Sequence, residues 1–182
     1  RVHGRVISNG AITGRMTHRN PNMAQVPSSN SVYGEECRSR WMVPEGKSLV
    51  GFDASGLELR MLAHYMNDEE FTNVLLKEDI HTRNQMAAGL DTRPQAKTFI
   101  YAFLYGAGDA KIGSIVGGSS GDGRKLKQRF LRNTPSLESL RERVGNAAQR
   151  GHLKGLDGRK LWVRSEHAAL NTLLQAAGAI VM

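Results

Sequence analysis

Apolar residues recur every three or four positions through the central part of the chain. Leu57, Met61, Leu62 and Tyr65 follow this spacing, which predicts a helix from about residue 57 to Met66. Similar patterns predict helices over 69–77, 79–89, 92–105, 124–133, 136–150 and 167–182. The predicted secondary structure is therefore mainly helical.

Two pairs of turn residues predict β-hairpins towards the two ends of the chain. Asn9-Gly10 separates alternating segments within residues 1–18, and both residues tolerate the positive φ of a two-residue hairpin turn. Asp157-Gly158 has the same character and is expected at the tip of a hairpin within residues 155–164. Helices and hairpins together indicate the α+β fold class.

Three further segments differ from this pattern. Residues 48–53 form a short apolar run that ends in Asp53, which is typical of a buried strand with a functional group at its tip. Residues 19–36 are rich in Asn, Ser and Pro and predict an ordered loop that leads into a short helix over about 34–40. Residues 114–123 are rich in Gly and Ser and predict a mobile loop.

The chain is strongly basic, with 25 Lys and Arg against 17 Asp and Glu, a formal net charge of +8 and a pI near 10.0. This excess favours phosphate-rich partners, although a solvated basic surface would give the same composition. The single cysteine, Cys37, excludes an internal disulfide. No apolar run is long enough for a membrane span, so an intracellular protein without a membrane partner is expected.

Both ends of the 182-residue sequence predict an internal fragment of a larger protein. Arg1 already lies within a strand pattern, and Met182 lies within an apolar helical run that no Gly, Pro or polar residue follows.

Asp53 is a candidate metal ligand. A carboxylate at a strand tip and the neighbouring carbonyl of Ala54 offer two oxygen atoms, the donors that Mg²⁺ prefers. An aspartate that only caps the next helix is the common alternative, and Glu58 close by in the sequence favours the metal site.

The helix over 93–105 carries a second candidate site. Steps of four residues place Arg93, Lys97, Tyr101 and Tyr105 along one side, over a length of about 18 Å at 1.5 Å per residue. Apolar residues supply the opposite, buried side: Phe99, Ile100, Phe103 and Leu104. Solvated cations on an amphipathic helix are one interpretation. Because both cations lie in the first turns, where the helix dipole attracts anions, we expect a triphosphate site and no surface salt bridge. Aromatic residues at the spacing of Tyr101 and Tyr105 are more often part of a core.

These motifs identify a resemblance to a known family. Asp53-x-Ser-x-x-Glu58-Leu-Arg60 and Arg93-x3-Lys97-x7-Tyr105-Gly106 resemble the first two polymerase motifs of the family A DNA polymerases, the group similar to bacterial polymerase I. The replicative polymerases of short-tailed phages are more similar still. They share Lys97-Thr-Phe-Ile-Tyr101, Phe103-Leu-Tyr-Gly-Ala-Gly108, Gly155-Leu-Asp-Gly-Arg-Lys160 and His167-Ala-Ala-Leu-Asn-Thr-Leu-Leu-Gln175 almost unchanged.

The resemblance implies part of a right-hand polymerase fold. Residues 1–66 correspond to the first part of the palm, residues 67–150 to the fingers, and residues 151–182 to a return to the palm. The implied reaction is template-directed DNA synthesis, in which a primer 3′-hydroxyl attacks the α-phosphate of a dNTP and pyrophosphate leaves.

The resemblance also implies roles for individual residues. Asp53 corresponds to the first of two metal-binding aspartates, and Glu58 to the steric gate that excludes a ribose 2′-hydroxyl. The positions of His81, Arg93 and Lys97 contact the triphosphate, with Lys97 also a candidate general acid for pyrophosphate. The positions of Tyr101 and Tyr105 line the sugar and base site. Six further positions contact primer-template DNA: Arg15, Asn22, Gln25, His167, Asn171 and Gln175.

Mg²⁺ is the implied cofactor, and dNTP and primer-template DNA are the implied partners. The second metal-binding aspartate of the family lies downstream of the last helix, so residues 1–182 alone are expected not to extend a primer. A bacterial host cytoplasm is the implied location, and a processivity partner would bind regions outside this sequence. Two alternatives are a single-subunit RNA polymerase relative, which Glu58 disfavours, and a catalytically silent nucleic-acid-binding fragment. A metal-dependent nuclease is disfavoured because the sequence offers no second clustered carboxylate.

Overall fold

The computed structural model describes residues 2–182, which divide into two compact units. The first extends to Ser55, and the second comprises Gly56–Met182.

The first unit contains a small hairpin and one short helix. Strands β1 (Arg5–Ile7) and β2 (Thr17–Arg19) are antiparallel, with Arg5 opposite Arg19 and Ile7 opposite Thr17. Helix α1 comprises Gly34–Arg38. The predicted hairpin therefore forms, and the short helix ends two residues earlier than expected.

The prediction of a two-residue turn at Asn9-Gly10 is wrong, because nine residues connect β1 to β2. Asn9 does have a positive φ of 37°, but Gly10 does not. Gly10 instead packs closely against β2: a Cβ atom there would lie 2.0 Å from Oγ1 of Thr17. This glycine allows a close approach of two segments and does not serve as a left-handed turn residue.

The prediction of a buried strand over 48–53 is also wrong. The segment has no regular structure, and Leu49, Val50 and Phe52 are 75%, 72% and 93% exposed. A strand requires a hydrogen-bonded neighbour, and within residues 2–182 the only paired strands are those of the two hairpins. The apolar run therefore lacks a sheet to join.

The second unit contains eight helices and the other hairpin. Its elements in chain order are α2 (Leu57–Met66), α3 (Glu69–Lys77), α4 (Ile80–Ala88), α5 (Arg93–Leu104), α6 (Asp109–Ile115), α7 (Ser120–Arg132), α8 (Pro135–Ala148), β3 (His152–Lys154), β4 (Lys160–Trp162) and α9 (Glu166–Val181). All seven predicted helices of this region are present, with boundaries within four residues of the expected ones, and α6 was not predicted. The α+β fold class is confirmed.

Side-chain caps fix where α5 begins. The Thr92 hydroxyl accepts a hydrogen bond from the backbone N–H of Gln95, and the Gln95 side chain accepts one from the backbone N–H of Thr92. Pro94 occupies the first turn, where a missing N–H costs nothing. Reciprocal capping of this kind sets the first residue of the helix, and thereby the direction in which Arg93 and Lys97 project.

Aromatic rings form the centre of the core beneath α5. Phe99 and Phe103 of α5 pack edge-on against Phe130 of α7, with ring centroids 5.1 and 5.5 Å apart. Phe99 and Phe130 are fully buried. The helix is therefore anchored from below, and its opposite side is available for binding.

The Gly- and Ser-rich stretch 114–123 is mostly helical, so the prediction of a loop along its whole length is wrong. Only residues 116–119 connect α6 to α7. Ser119 caps α7 reciprocally with Asp122. Gly113 and Gly123 allow the two helices to touch: a Cβ atom on Gly123 would lie 1.9 Å from the Asp109 carbonyl oxygen. The glycines thus serve close helix packing.

Replacing Gly123 with alanine should destabilise the fold by about 1–3 kcal/mol, because the new methyl group meets backbone atoms that cannot move independently. Gly121→Ala on the same helix is the matched control. Its Cβ would meet only the Ser119 side chain, at an ordinary 3.5 Å, so a neutral or slightly stabilising effect is expected. Urea unfolding of the two variants measures the difference, and equal stabilities would contradict this packing.

The second hairpin forms as predicted. His152 lies opposite Trp162 and Lys154 opposite Lys160. Gly158 has a φ of 84°, and its N–H donates to the Gly155 carbonyl, so Asp157-Gly158 lies in the turn. Leu153 and Leu161 point inwards and are buried.

Helices α2 and α9 pack together in the second unit. Gly178 of α9 lies against Leu57 of α2, where a Cβ would be 3.1 Å from the nearest side-chain atom. The assignment of 1–66, 67–150 and 151–182 to palm, fingers and palm stays a prediction. In the part of the chain that the structure describes, no helix is long and apolar enough to cross a membrane.

Candidate functional site

Helix α5 presents the predicted polar stripe. Arg93, Lys97 and Tyr105 are exposed and Tyr101 is half-buried. The tyrosine rings lie 6.4 Å apart, inclined by 32°. The opposite side is buried as expected: Phe99, Ile100, Phe103 and Leu104. The stripe therefore combines two cations at the N-terminal end with an aromatic surface at the C-terminal end.

Arg93 forms an ion pair with Asp79, so the expectation of no surface salt bridge is wrong for this residue. Its Nε donates to Oδ2 of Asp79, and its Nη2 donates to Oδ1 at 3.2 Å. The Arg93 guanidinium holds the pKa of the Asp79 carboxyl well below its usual range. Sequence spacing could not reveal this pair, because Asp79 comes from the preceding helix, fourteen residues away.

Lys97 is exposed and has no ion-pair partner among residues 2–182. It lies one turn after Arg93 on the same side of α5. An amine in this position can bind an anion without first breaking an internal salt bridge.

His81 of α4 lies beside the stripe. Its ring centroid is 6.2 Å from that of Tyr101, and its Nδ1 is buried without a hydrogen bond in the part of the chain that the structure describes. Burial lowers the pKa of His81, and the charges of Arg93 and Lys97 lower it further against the opposing effect of Asp79. The imidazole is therefore neutral at pH 7 in the ligand-free protein.

The His81 shift predicts a pH effect on stability. The unfolded chain takes up a proton near pH 6.5, whereas the folded protein does so only at lower pH, so stability falls as the pH drops below about 6.5. His81→Gln should lose less stability between pH 7 and pH 5 than the wild type. Thermal unfolding at several pH values measures this, and an unchanged pH profile would contradict the assigned shift.

Glu58 joins the same site from the first turn of α2. Glu58 is half-buried. The pKa of the Tyr101 hydroxyl is raised, first by the burial of Tyr101 and second by the negative charge of Glu58. Residues from α2, α4 and α5 thus lie close together in the second unit, and their membership of one nucleotide site stays a prediction.

The C-terminal end of α5 contacts the start of α9. Gly106 has a φ of 75°, and a Cβ there would lie 2.3 Å from the His167 carbonyl oxygen, so glycine is required for this approach. His167 is exposed and Asn171 and Gln175 are half-buried along one side of α9. Buried leucines cover the rest of the helix: Leu170, Leu173 and Leu174.

A cavity of about 210 Å³ lies at this junction, lined by Phe103, Gly106, Lys127, Arg141, Glu166 and His167. Lys127 of α7 donates to the Ala107 carbonyl at 2.5 Å and pairs with Asp109 at 3.0 Å. Lys127 therefore holds the turn that follows Tyr105. No sequence pattern points to this contact, because Lys127 reads only as a basic residue on the outer side of an amphipathic helix.

The remaining predicted residues belong to the first unit. Asp53 is exposed and Ala54 half-buried, in a segment without regular structure. Residues 2–182 contain no group of three His, Cys, Asp or Glu side chains arranged to hold a metal ion. A single carboxylate and a carbonyl are suitable donors for Mg²⁺ but do not complete a site.

Three predicted DNA contacts are exposed in the first unit. Arg15 lies in the connection between β1 and β2. Asn22 accepts a hydrogen bond from the Ala24 N–H at 3.1 Å. Asn22 and Gln25 border a cavity of about 620 Å³ whose other lining residues are largely apolar.

The known proteins that this chain resembles are DNA polymerases. The model of DNA polymerase family A matches residues 1–182. Two curated DNA-directed DNA polymerases, from Enterobacteria phage T3 and Escherichia phage T7, are 51% and 50% identical to this chain over its whole length. The thermostable DNA polymerase I of Thermus filiformis is 28% identical over 97% of the chain and 22% of its own length.

Among solved structures, the polymerase domain of Pol1 from M. smegmatis, in complex with DNA primer-template and dNTP, has the same fold. The TM-score is 0.81 over all of this chain and 36% of that one, with 21% identity. The chain spans 29% of the length of the two phage relatives. From its match to the family model and its identity with the phage enzymes, the chain belongs to DNA polymerase family A.

Proposed function

We propose that residues 1–182 form the nucleotide-binding part of a DNA polymerase. The complete enzyme transfers a deoxynucleotide from a dNTP to a primer 3′-hydroxyl and releases pyrophosphate. The observation that carries this proposal is the α5 stripe, in which cations and aromatic rings line one side of a helix that the core anchors from below.

Arg93, Lys97 and His81 bind the triphosphate in this proposal. Arg93 and Lys97 supply positive charge beside the N-terminus of α5, where the helix dipole adds to their attraction for anions. His81 is neutral, so it donates a hydrogen bond without needing to be charged. Lys97 also donates the proton that the departing pyrophosphate takes up, because its ammonium group is exposed and engaged in no ion pair within residues 2–182.

Glu58, Tyr101 and Tyr105 receive the sugar and base. The two rings provide a surface on which a base stacks, and Glu58 occupies the space beside Tyr101. A ribose 2′-hydroxyl would meet the Glu58 side chain, so deoxynucleotides are preferred.

Asp53 and the Ala54 carbonyl hold Mg²⁺ together with a second aspartate from another part of the enzyme. Hard oxygen donors suit this ion. When bound, Mg²⁺ would supply positive charge for the phosphates and would lower the pKa of the primer hydroxyl.

Primer-template DNA is the second partner. The net charge of +8 favours its phosphates. Six polar side chains contact it in this proposal: Arg15, Asn22, Gln25, His167, Asn171 and Gln175. Asn171 and Gln175 are one turn apart on α9 and can reach the minor groove, where correct base pairs present acceptors at similar positions.

Family membership and similarity to the phage enzymes support the remaining assignments. Residues 1–66 and 151–182 belong to the palm and residues 67–150 to the fingers. The enzyme acts in the cytoplasm of a bacterial host during DNA replication, and any processivity factor binds elsewhere in the complete protein.

The proposal is tested by replacing Glu58 with alanine in the complete polymerase. Removing the side chain opens the space for a 2′-hydroxyl, so the preference for dNTP over rNTP should fall by about 100-fold, the scale of a few kcal/mol of lost steric exclusion. Glu69→Ala is the matched control, because Glu69 is also in the first turn of a helix but outside the site.

Steady-state incorporation of one templated dNTP or rNTP measures the ratio of kcat/KM values. An unchanged ratio in Glu58→Ala would contradict the role of Glu58. A wild-type enzyme that prefers rNTP would instead favour an RNA polymerase. DNA binding without Mg²⁺-dependent affinity for dNTP would favour a catalytically silent nucleic-acid-binding protein.

A further inference from the structure

We propose that Asp79 is a positioning residue that orients Arg93 towards the triphosphate of the incoming nucleotide. This inference rests on the proposed function, in which Arg93 binds that triphosphate. Its evidence is the set of hydrogen bonds that Asp79 forms.

Asp79 is immobilised by its own helix. As the N-cap of α4, it accepts a hydrogen bond from the His81 N–H through Oδ1 at 3.1 Å and one from the Thr82 hydroxyl through Oδ2 at 2.9 Å. It cannot turn away without leaving the first turn of α4 uncapped. The carboxylate is therefore a fixed point.

Arg93 meets this fixed carboxylate through one edge of its guanidinium group. Nε and Nη2 donate to the two oxygen atoms of Asp79. The guanidinium is planar and carries five N–H donors in fixed directions, so binding this edge sets the direction of the other donors. Nη1 and the second N–H of Nη2 remain to bind a phosphate, and the ion pair need not break.

The same pair joins two helices of the site. Asp79 begins α4, which carries His81, and Arg93 begins α5, which carries Lys97. The Asp79 carboxylate therefore fixes the positions of the proposed triphosphate-binding residues on both helices. An unrestrained arginine side chain would lose far more conformational freedom when it binds the nucleotide.

The negative charge of Asp79 acts in the opposite direction, since it repels the triphosphate. Arg93 neutralises much of that charge, and solvent screens the rest because both side chains are partly exposed. The benefit of orienting Arg93 should therefore outweigh the repulsion between Asp79 and the triphosphate. If Asp79 positions Arg93, removing its charge raises KM for dNTP; if Asp79 only repels the nucleotide, removing its charge lowers KM.

Asp79→Asn in the complete polymerase tests the inference. Asparagine caps a helix as well as aspartate, but it cannot accept two hydrogen bonds from the guanidinium edge. We expect KM for dNTP to rise about three- to tenfold with kcat nearly unchanged, the pattern of lost ground-state binding. Asp79→Ser keeps a cap and should raise KM by a similar factor.

Asp68→Asn is the matched control: Asp68 caps α3 through the Phe71 N–H at 2.9 Å but contacts no part of the stripe within residues 2–182.

A double-mutant cycle with Arg93→Ala separates positioning from a merely structural effect. If Asp79 acts through Arg93, Asp79→Asn should change KM by less than about twofold in the Arg93→Ala background. An equal rise in both backgrounds, or a fall in KM in the single variant, would overturn the inference. If Arg93→Ala alone left KM unchanged, the triphosphate role of Arg93 in the proposed function would be wrong as well. If KM for dNTP rose in Arg93→Ala but not in Asp79→Asn, only the positioning role of Asp79 would be overturned.

Discussion

Replacing Asp53 with alanine in the complete polymerase should lower kcat for nucleotide incorporation by about 10³-fold or more, because the proposed function assigns Asp53 as one of the carboxylates that hold the metal ions. DNA binding should survive, since it depends on cations and polar groups elsewhere. Single-turnover incorporation measures the rate, and a salt-matched DNA titration measures binding. The effect is the largest expected from any single substitution in this chain.

Glu45→Ala is a suitable control for Asp53→Ala, because Glu45 is an exposed carboxylate of the same unit. It should leave the rate unchanged. Activity of Asp53→Ala within about tenfold of the wild type would show that Asp53 is not a metal ligand, since loss of a ligand costs more than this. Loss of DNA binding in the same variant would point to a structural role.

The second largest effect is expected for Lys97→Ala, which should lower kcat/KM for dNTP by about 10²–10³-fold, the usual range for a general acid combined with a lost charge. Lys97 lies one turn from Arg93 and forms no ion pair among residues 2–182, so its ammonium group is available to bind an anion. Pre-steady-state incorporation separates the effect on dNTP affinity from that on the chemical step.

Lys111→Ala provides the comparison for Lys97→Ala. Lys111 is an exposed lysine on the neighbouring helix α6 and contributes the same charge to the surface. Its removal should change kcat/KM by less than about twofold, as expected of a surface residue outside the site. Equal losses in both variants would mean that general surface charge, and not the position of Lys97, supports the reaction.

The helices of the second unit could be predicted because their signals are local. The apolar side of α5 repeats every three or four residues, and Thr92 with Gln95 specifies its first turn. Gly106 specifies its end through a positive φ. Each of these features lies within a few residues of the helix that it defines.

Features that depend on distant segments could not be predicted. Residues 48–53 have the composition of a strand, but a strand forms only beside another strand. Gly113 and Gly123 resemble loop residues in sequence, yet they serve the contact between α6 and α7. Composition alone does not distinguish a flexible glycine from one at a helix contact.

In the candidate site, too, features within one helix could be predicted and contacts between helices could not. The spacing of Arg93, Lys97, Tyr101 and Tyr105 predicted a common side of one helix, and the structure agrees. Glu58 and His81 joined this group only through the family resemblance, because they come from other helices. The pair between Arg93 and Asp79 had no sequence signal, since it depends on how α4 and α5 pack.

Incorporation of a single templated nucleotide tests whether this chain is part of a metal-dependent DNA polymerase. The complete polymerase, a primer-template and one nucleotide are mixed with and without Mg²⁺, and primer extension is followed over time. We predict extension by one residue only with Mg²⁺ and the complementary dNTP, with the matching rNTP used far less efficiently. Absence of extension with the complementary dNTP and Mg²⁺, under conditions where the DNA is bound, would contradict the account.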